Sequence, residues 1–242
     1  MRLLLLSLLL VATLPCRLFA VVEPPPLSEV QREILRRVAT SEEKGDTSGA
    51  IALLEDFLGK EAGRHAAIAL ELGNLHHREG DRTAAAKYYA TALELLPDYT
   101  LALRNQGIVF YEEGRYREAL GPLGRSVNSL PPQSDDLLLL AHCQSQLGLH
   151  AAALRSAELG VSLYPFHLGL RKLASDACLR LARYDDAVDL LRETLTLSPE
   201  DAELWFALAS AQTARGRTLE ATDAMEAGLL ISPGDSDRRV RL

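Results

Sequence analysis

A proline recurs every 34 residues along most of this chain, at Pro97, Pro131, Pro165, Pro199 and Pro233. With proline near 5% of residues on average, four further matches at one spacing arise by chance with a probability on the order of a few in a million. An alanine column keeps step at Ala85, Ala119, Ala153, Ala187 and Ala221, and a glycine column at Gly80, Gly114, Gly148 and Gly216 is broken only by Ala182. Two more columns hold small residues: Gly73, Gly107, Ala141, Ser175 and Ala209, then Ala92, Ser126, Gly160, Thr194 and Gly228. A fixed period constrains the fold strongly, because a self-similar unit packs against its own copies. Proline cannot continue a helix, so each one marks a helix end and a turn. Glycine between two helical patterns suits a chain reversal through positive φ. Small residues let two helix backbones approach, with Leu93, Val127, Val161, Leu195 and Leu229 filling the space beside them. The predicted unit is an antiparallel helical hairpin in tandem copies.

The first regular copy carries Leu72-Gly73, then Ala85-x3-Tyr89, then Pro97; the last carries Trp205-x2-Leu208-Ala209, then Ala221-x3-Met225, then Pro233. Residues 66–235 therefore resemble the tetratricopeptide repeat (TPR) family, whose pattern is W-x2-L-G-x2-Y, A-x3-F and P over 34 residues. The resemblance implies an all-α fold, a right-handed TPR superhelix (α-solenoid) of about six helical hairpins. Gln106, Gln144, Arg171 and Gln212 depart from the pattern at positions where it wants apolar residues. The pentatricopeptide family, which reads RNA, has a similar period but lacks this alanine and proline pattern.

Residues 1–20 begin Met1-Arg2, continue as an apolar run of about 12 residues and end at Ala20. That is the layout of a secretory signal peptide, shorter than the roughly 20 residues that span a bilayer. An uncleaved anchor and a lipid-modified Cys16 are the alternatives, the latter disfavoured by Pro15. Residues 21–27 end in three prolines and read as an extended spacer. Residues 28–65 open with a capping box, Ser28-x-x-Gln31, and read as a divergent first hairpin turning at Gly45-Asp46. Five regular copies follow at 66–99, 100–133, 134–167, 168–201 and 202–235, with second helices starting near Thr83, Arg117, Ala151, Asp185 and Thr218. Thr83 and Thr218 are expected to cap through their hydroxyls. The tail, 236–242, is too short to cover the last repeat well, so a partner or a second copy is expected there.

Signatures of catalysis are missing. The chain has no G-x4-G-K-[ST], G-x-S-x-G or H-E-x2-H, and no H-x3-H or C-x2-C spacing for a metal. Cys143 and Cys178 lie on neighbouring first helices, one position out of equivalence, and read as buried thiols rather than as a disulfide or a nucleophile. His76 falls in a core-facing column with Phe110 and Cys178. Asp135-Asp136 and Asp185-Asp186 stand at helix starts, where carboxylates favour the dipole. The formal charge of −7 becomes −9 once residues 1–20 leave, which disfavours nucleic acid and anionic membrane surfaces as partners.

What remains is surface. By the resemblance, first helices line a concave groove that receives a peptide, and the residues expected there are Asn74, His77, Arg78, Arg104, Ile108, Tyr111, Glu112, His142, Gln146, Lys172, Asp176, Arg180 and Phe206, with Leu70 and Leu179 beside them. One TPR subfamily grips the carboxylate end of chaperone tails; Asn74 and Asn105 match two of its positions, but Leu70 and Asp135 replace its lysines, so that function is not carried over. The expected protein is an exported, non-catalytic scaffold of the periplasm or cell envelope (secreted where there is no periplasm) that binds another protein. It has no cofactor, metal, nucleic-acid or small-molecule partner, and meets a membrane only through an uncleaved signal. The competing readings are a structural subunit of an envelope assembly and an accessory subunit of an enzyme complex.

Overall fold

The computed structural model describes residues 22–128 and 132–232. The signal-peptide reading for residues 1–20, Pro131, Pro233 and the tail 236–242 lie outside the described residues. Twelve α-helices and no strand are present among the described residues, arranged as six consecutive hairpins. They are α1 Glu29–Glu43 with α2 Thr47–Leu58, α3 Ala66–Arg78 with α4 Arg82–Leu95, and α5 Thr100–Glu112 with α6 Tyr116–Ser126. Then come α7 Ser134–Gln146 with α8 His150–Leu163, α9 Leu168–Arg180 with α10 Tyr184–Leu197, and α11 Ala202–Ala214 with α12 Thr218–Ile231. None of these helices is long and apolar enough to cross a membrane.

The turn inside each hairpin explains the glycine column. Gly148 ends α7 at φ +73°, a left-handed conformation in which a Cβ crowds the following carbonyl. Ala182, which interrupts the column, is forced into the same conformation at φ +56°, the one non-glycine residue with positive φ among the described residues. Gly45 takes the equivalent turn at φ +76°, so residues 28–65 do form a first hairpin in the same mould. Its start is held by the expected capping box, with the Gln31 amide N–H bonded to Ser28 and the Gln31 side chain returning to the Ser28 N–H at 2.9 Å. The threonine caps are corrected. Asp81, not Thr83, caps α4 by accepting the Ala84 N–H at 2.9 Å, and Arg217 occupies the cap position of α12 with Thr218 already inside the helix.

Within a hairpin, small residues on one helix receive large ones from the other. A Cβ on Gly73 would lie 2.5 Å from the ring of Tyr89, which is fully buried. Between hairpins the same logic holds, because a Cβ on Gly160 of α8 would lie 2.6 Å from Leu170 of α9. Each even-numbered helix packs against the next odd-numbered one from α2 onward. From α3, each odd-numbered helix also touches the next odd-numbered helix, and no even-numbered pair makes a comparable contact. The odd helices therefore lie closer together and line the inner side of the stack.

Candidate functional site

The inner wall divides into three parts. At α3, side chains expected to await a ligand bind one another instead. Asn74 Oδ1 accepts from Tyr89 Oη at 3.0 Å and from Asn105 Nδ2 at 2.8 Å, while Asn74 Nδ2 donates to Glu71 at 3.2 Å. His77 Nε2 lies 3.0 Å from Glu112 Oε2, and Arg82 Nε donates to that same oxygen at 2.9 Å. Burial alone would raise the Glu112 carboxyl, but the hydrogen bonds from His77 and Arg82 outweigh it and hold the group below the usual carboxylate range. Arg78 pairs with Glu42 of α1 and lies 3.8 Å from Glu71. This end of the wall is a cross-linked lattice spanning the first three hairpins.

In the middle, Arg104 is spoken for. Its Nε forms an ion pair at 2.7 Å with Asp136 Oδ1, and Ser126 Oγ donates to Asp136 Oδ2 at 2.6 Å. Asp136 is 2% exposed, so its position at a helix start is not the whole of its role: it is a buried charge neutralised across two hairpins. The column explains the arrangement, since Ile68, Ala102, Leu170 and Leu204 stand where Asp136 does, and Gly160 and Gly228 stand where Ser126 does. An apolar contact has been exchanged here for a polar triad. Ile108 is half-buried nearby. Tyr111, Tyr116 and His142 form a trio with ring centroids 5.4 to 6.0 Å apart, and Gln146 Nε2 reaches His142 Nε2 at 3.4 Å.

The last third is the open part. A cleft of about 190 Å³ runs between α9 and α11, lined by Lys172, Ser175, Asp176, Leu179, Glu203 and Ala207 among others. Lys172 pairs with Asp201, whereas Arg180, exposed, holds Asp176 only at 3.4 Å. Phe206 is a correction: it is 6% exposed and packs on α12, where a Cβ on Gly228 would meet its ring at 2.5 Å. The Gly228 vacancy draws the ring inward and out of the groove.

Three of the four departures from the repeat pattern are satisfied locally. Arg171 Nη1 pairs with Glu193 at 3.2 Å, Gln144 accepts from Ser156 at 2.8 Å, and Gln212 accepts from Arg215 at 3.1 Å. Cys143 and Cys178 are free and buried, and burial pushes the Cys143 thiol up to about 11, away from the thiolate form a nucleophile needs. His76 stacks on Tyr88 at 5.2 Å, consistent with its packing column.

Comparisons with known proteins fit this frame. Sequence models described as tetratricopeptide repeat match residues 42–99, 70–135 and 179–240, together well over half of the chain. The chain belongs to the tetratricopeptide repeat family. A model described as anaphase-promoting complex, cyclosome, subunit 3 matches residues 112–194. Curated relatives include a peroxisomal targeting signal receptor of Candida albicans, 25% identical over 183 residues, covering 70% of this chain and 30% of the receptor. The mouse DnaJ homolog subfamily C member 7 is 32% identical over 116 residues, covering 46% of this chain and 22% of that protein. The human protein O-mannosyl-transferase TMTC1 is 27% identical over 59% of this chain and 16% of its own length. The chain thus spans less than a third of each of these relatives. Among solved structures, YrrB, described as a TPR protein with an unusual peptide-binding site, superposes with a TM-score of 0.71 at 16% identity, covering 78% of this chain and 96% of YrrB. MamA gives 0.66 at 16% identity, covering 71% and 94%. At such identities these two establish the TPR fold alone.

Proposed function

We propose that this protein is an exported, non-catalytic TPR scaffold that binds a protein or peptide along the inner wall of its odd-numbered helices, chiefly over α9 and α11. The observation that carries the reading is the open cleft at Lys172, Asp176 and Leu179, beside a wall on which Asn74, His77, Arg78 and Arg104 are held by neighbouring side chains. Apolar Leu179 and Ala207 with charged Asp176 and Arg180 suit a peptide that seats a side chain while its polar groups bond at the rim. A relative named as a targeting signal receptor, and a structural neighbour described by its peptide-binding site, support a polypeptide ligand. Export rests on the leader-like residues 1–20 alone.

A photo-crosslinking amino acid at Leu179, compared with one at Arg155 on the exposed side of α8, tests the site in the native compartment. A discrete protein adduct at Leu179, lost on Arg180→Glu with Asp176→Lys, is expected. Adducts at Arg155 but none at Leu179 would refute it.

A further inference from the structure

A second recess, mostly apolar, is on the other side of the stack. A cleft of about 630 Å³ opens between α10 and α12 over α11, lined by Leu195, Trp205, Leu208, Ala224 and Ala227, with Arg192 on the α10 wall and Glu220 and Asp223 on the α12 wall. Its size falls in the range of ligand-binding sites, roughly 300 to 1,000 Å³. The repeat columns show why it is open here. One hairpin earlier, Arg171 stands where Trp205 does and Glu193 where Ala227 does, and their ion pair bridges α9 and α10. In the last hairpin, Ala227 removes the acid, and Trp205 Nε1 donates back to the Pro199 carbonyl at 2.8 Å, which leaves the ring as a wall of the recess.

Two further observations state what would fill it. Glu220 and Asp223 have no ion-pair partner among the described residues, and α12 carries three acids and no lysine or arginine. Leu230 and Ile231 on α12, and Leu197 on α10, are exposed apolar side chains on the two helices that form its walls. From Glu220 to Ile231 is about 16 Å along a helix axis, three turns.

We propose that this cleft is a second docking site, separate from the inner wall, for a short amphipathic helix of a protein partner. The helix lays an apolar face over Trp205 and Ala227 and sets lysine or arginine against Glu220 and Asp223. An acidic wall beside an indole favours a cationic flank, through charge pairing and through a cation over the ring face. Two walls of opposite charge also fix the direction in which the helix lies.

Trp205 is the one tryptophan of the chain, so its fluorescence reports on this site. The full chain is titrated with a three-turn leucine/lysine amphipathic peptide and with its leucine/glutamate counterpart. The lysine peptide is expected to shift Trp205 emission saturably to the blue, with affinity at least about tenfold above that of the glutamate peptide. Glu220→Lys with Asp223→Lys should abolish that preference. Glu79→Lys with Glu94→Lys, the same change of net charge at exposed positions on other elements, should keep it, as should Arg180→Glu in the inner groove. Circular dichroism melts confirm that each variant is folded. Equal affinity for both peptides overturns the proposal, and so does an equal loss in the control variant. It also fails if emission responds only to phosphatidylglycerol vesicles, or if peptide binds only after residues 236–242 are deleted, which would give the cleft to a membrane or to the chain itself.

Discussion

Ala182 shows what one side chain costs at a position the fold dictates. Five glycines take the same hairpin turn with φ between +71° and +82°, and Ala182 takes it with a Cβ in place. A left-handed residue other than glycine costs roughly 1 to 2 kcal/mol, partly offset by the greater unfolded-state freedom of glycine. Ala182→Gly should therefore stabilise the protein by about 0.5 to 1 kcal/mol, read as a higher urea midpoint, and Gly148→Ala should lower it by a similar amount. Glu112 makes a pH-dependent contribution. Its folded carboxyl is held below the usual range, so its contribution is fully present above the unfolded value of about 4.3 and is lost as pH falls through the lower folded value. Urea titrations at pH 7 and at stepwise lower pH should show a falling midpoint, with a shallower acid limb in Glu112→Gln. An unchanged limb in that variant would remove Glu112 from the account.

Helix boundaries were set by chemistry one or two residues away from where a residue-type preference pointed. Both Thr83 and Asp81 are good N-cap residues, and the tight glycine turn at Gly80 places Asp81 at the cap. Asp81→Ala should cost about 1 kcal/mol, whereas Thr83→Ala, at an exposed position inside the first turn, should stay within about 0.5 kcal/mol. Thermal unfolding followed at 222 nm separates the two, and equal effects would mean the cap is misplaced. Interfaces between elements were harder to foresee than the elements. Asp136 at a helix start carried an ordinary explanation, and its real partners, Ser126 and Arg104, sit 10 and 32 residues away. A lone carboxylate in an otherwise apolar column was the signal that the position is buried.

At the scale of the molecule, contacts run between adjacent hairpins, so stability is a sum of hairpin and nearest-neighbour terms rather than the property of one core. Removing α9 and α10 in register, residues 168–201, brings α8 against α11, with Gly160 meeting Leu204 in the place of Leu170. Mean residue ellipticity should hold within about a tenth while the melting temperature falls by several degrees, as the array loses a unit and an interface. Loss of all helical signal would show that the hairpins are not separable.

The sequence by itself determined the period, the hairpin unit, its turns and the all-α stack, because those depend on local backbone chemistry repeated in step. The placing of the inner wall on the odd helices came from the resemblance to the TPR family. Only the tertiary structure decided which wall residues remain available. Arg104, His77 and Asn74 are occupied by groups on neighbouring hairpins, and Phe206 turns into the Gly228 vacancy, outcomes of pair geometry that no single column contains. The outer cleft has the same origin, since Trp205 and Ala227 line it at the positions where Arg171 and Glu193 form an ion pair one hairpin earlier.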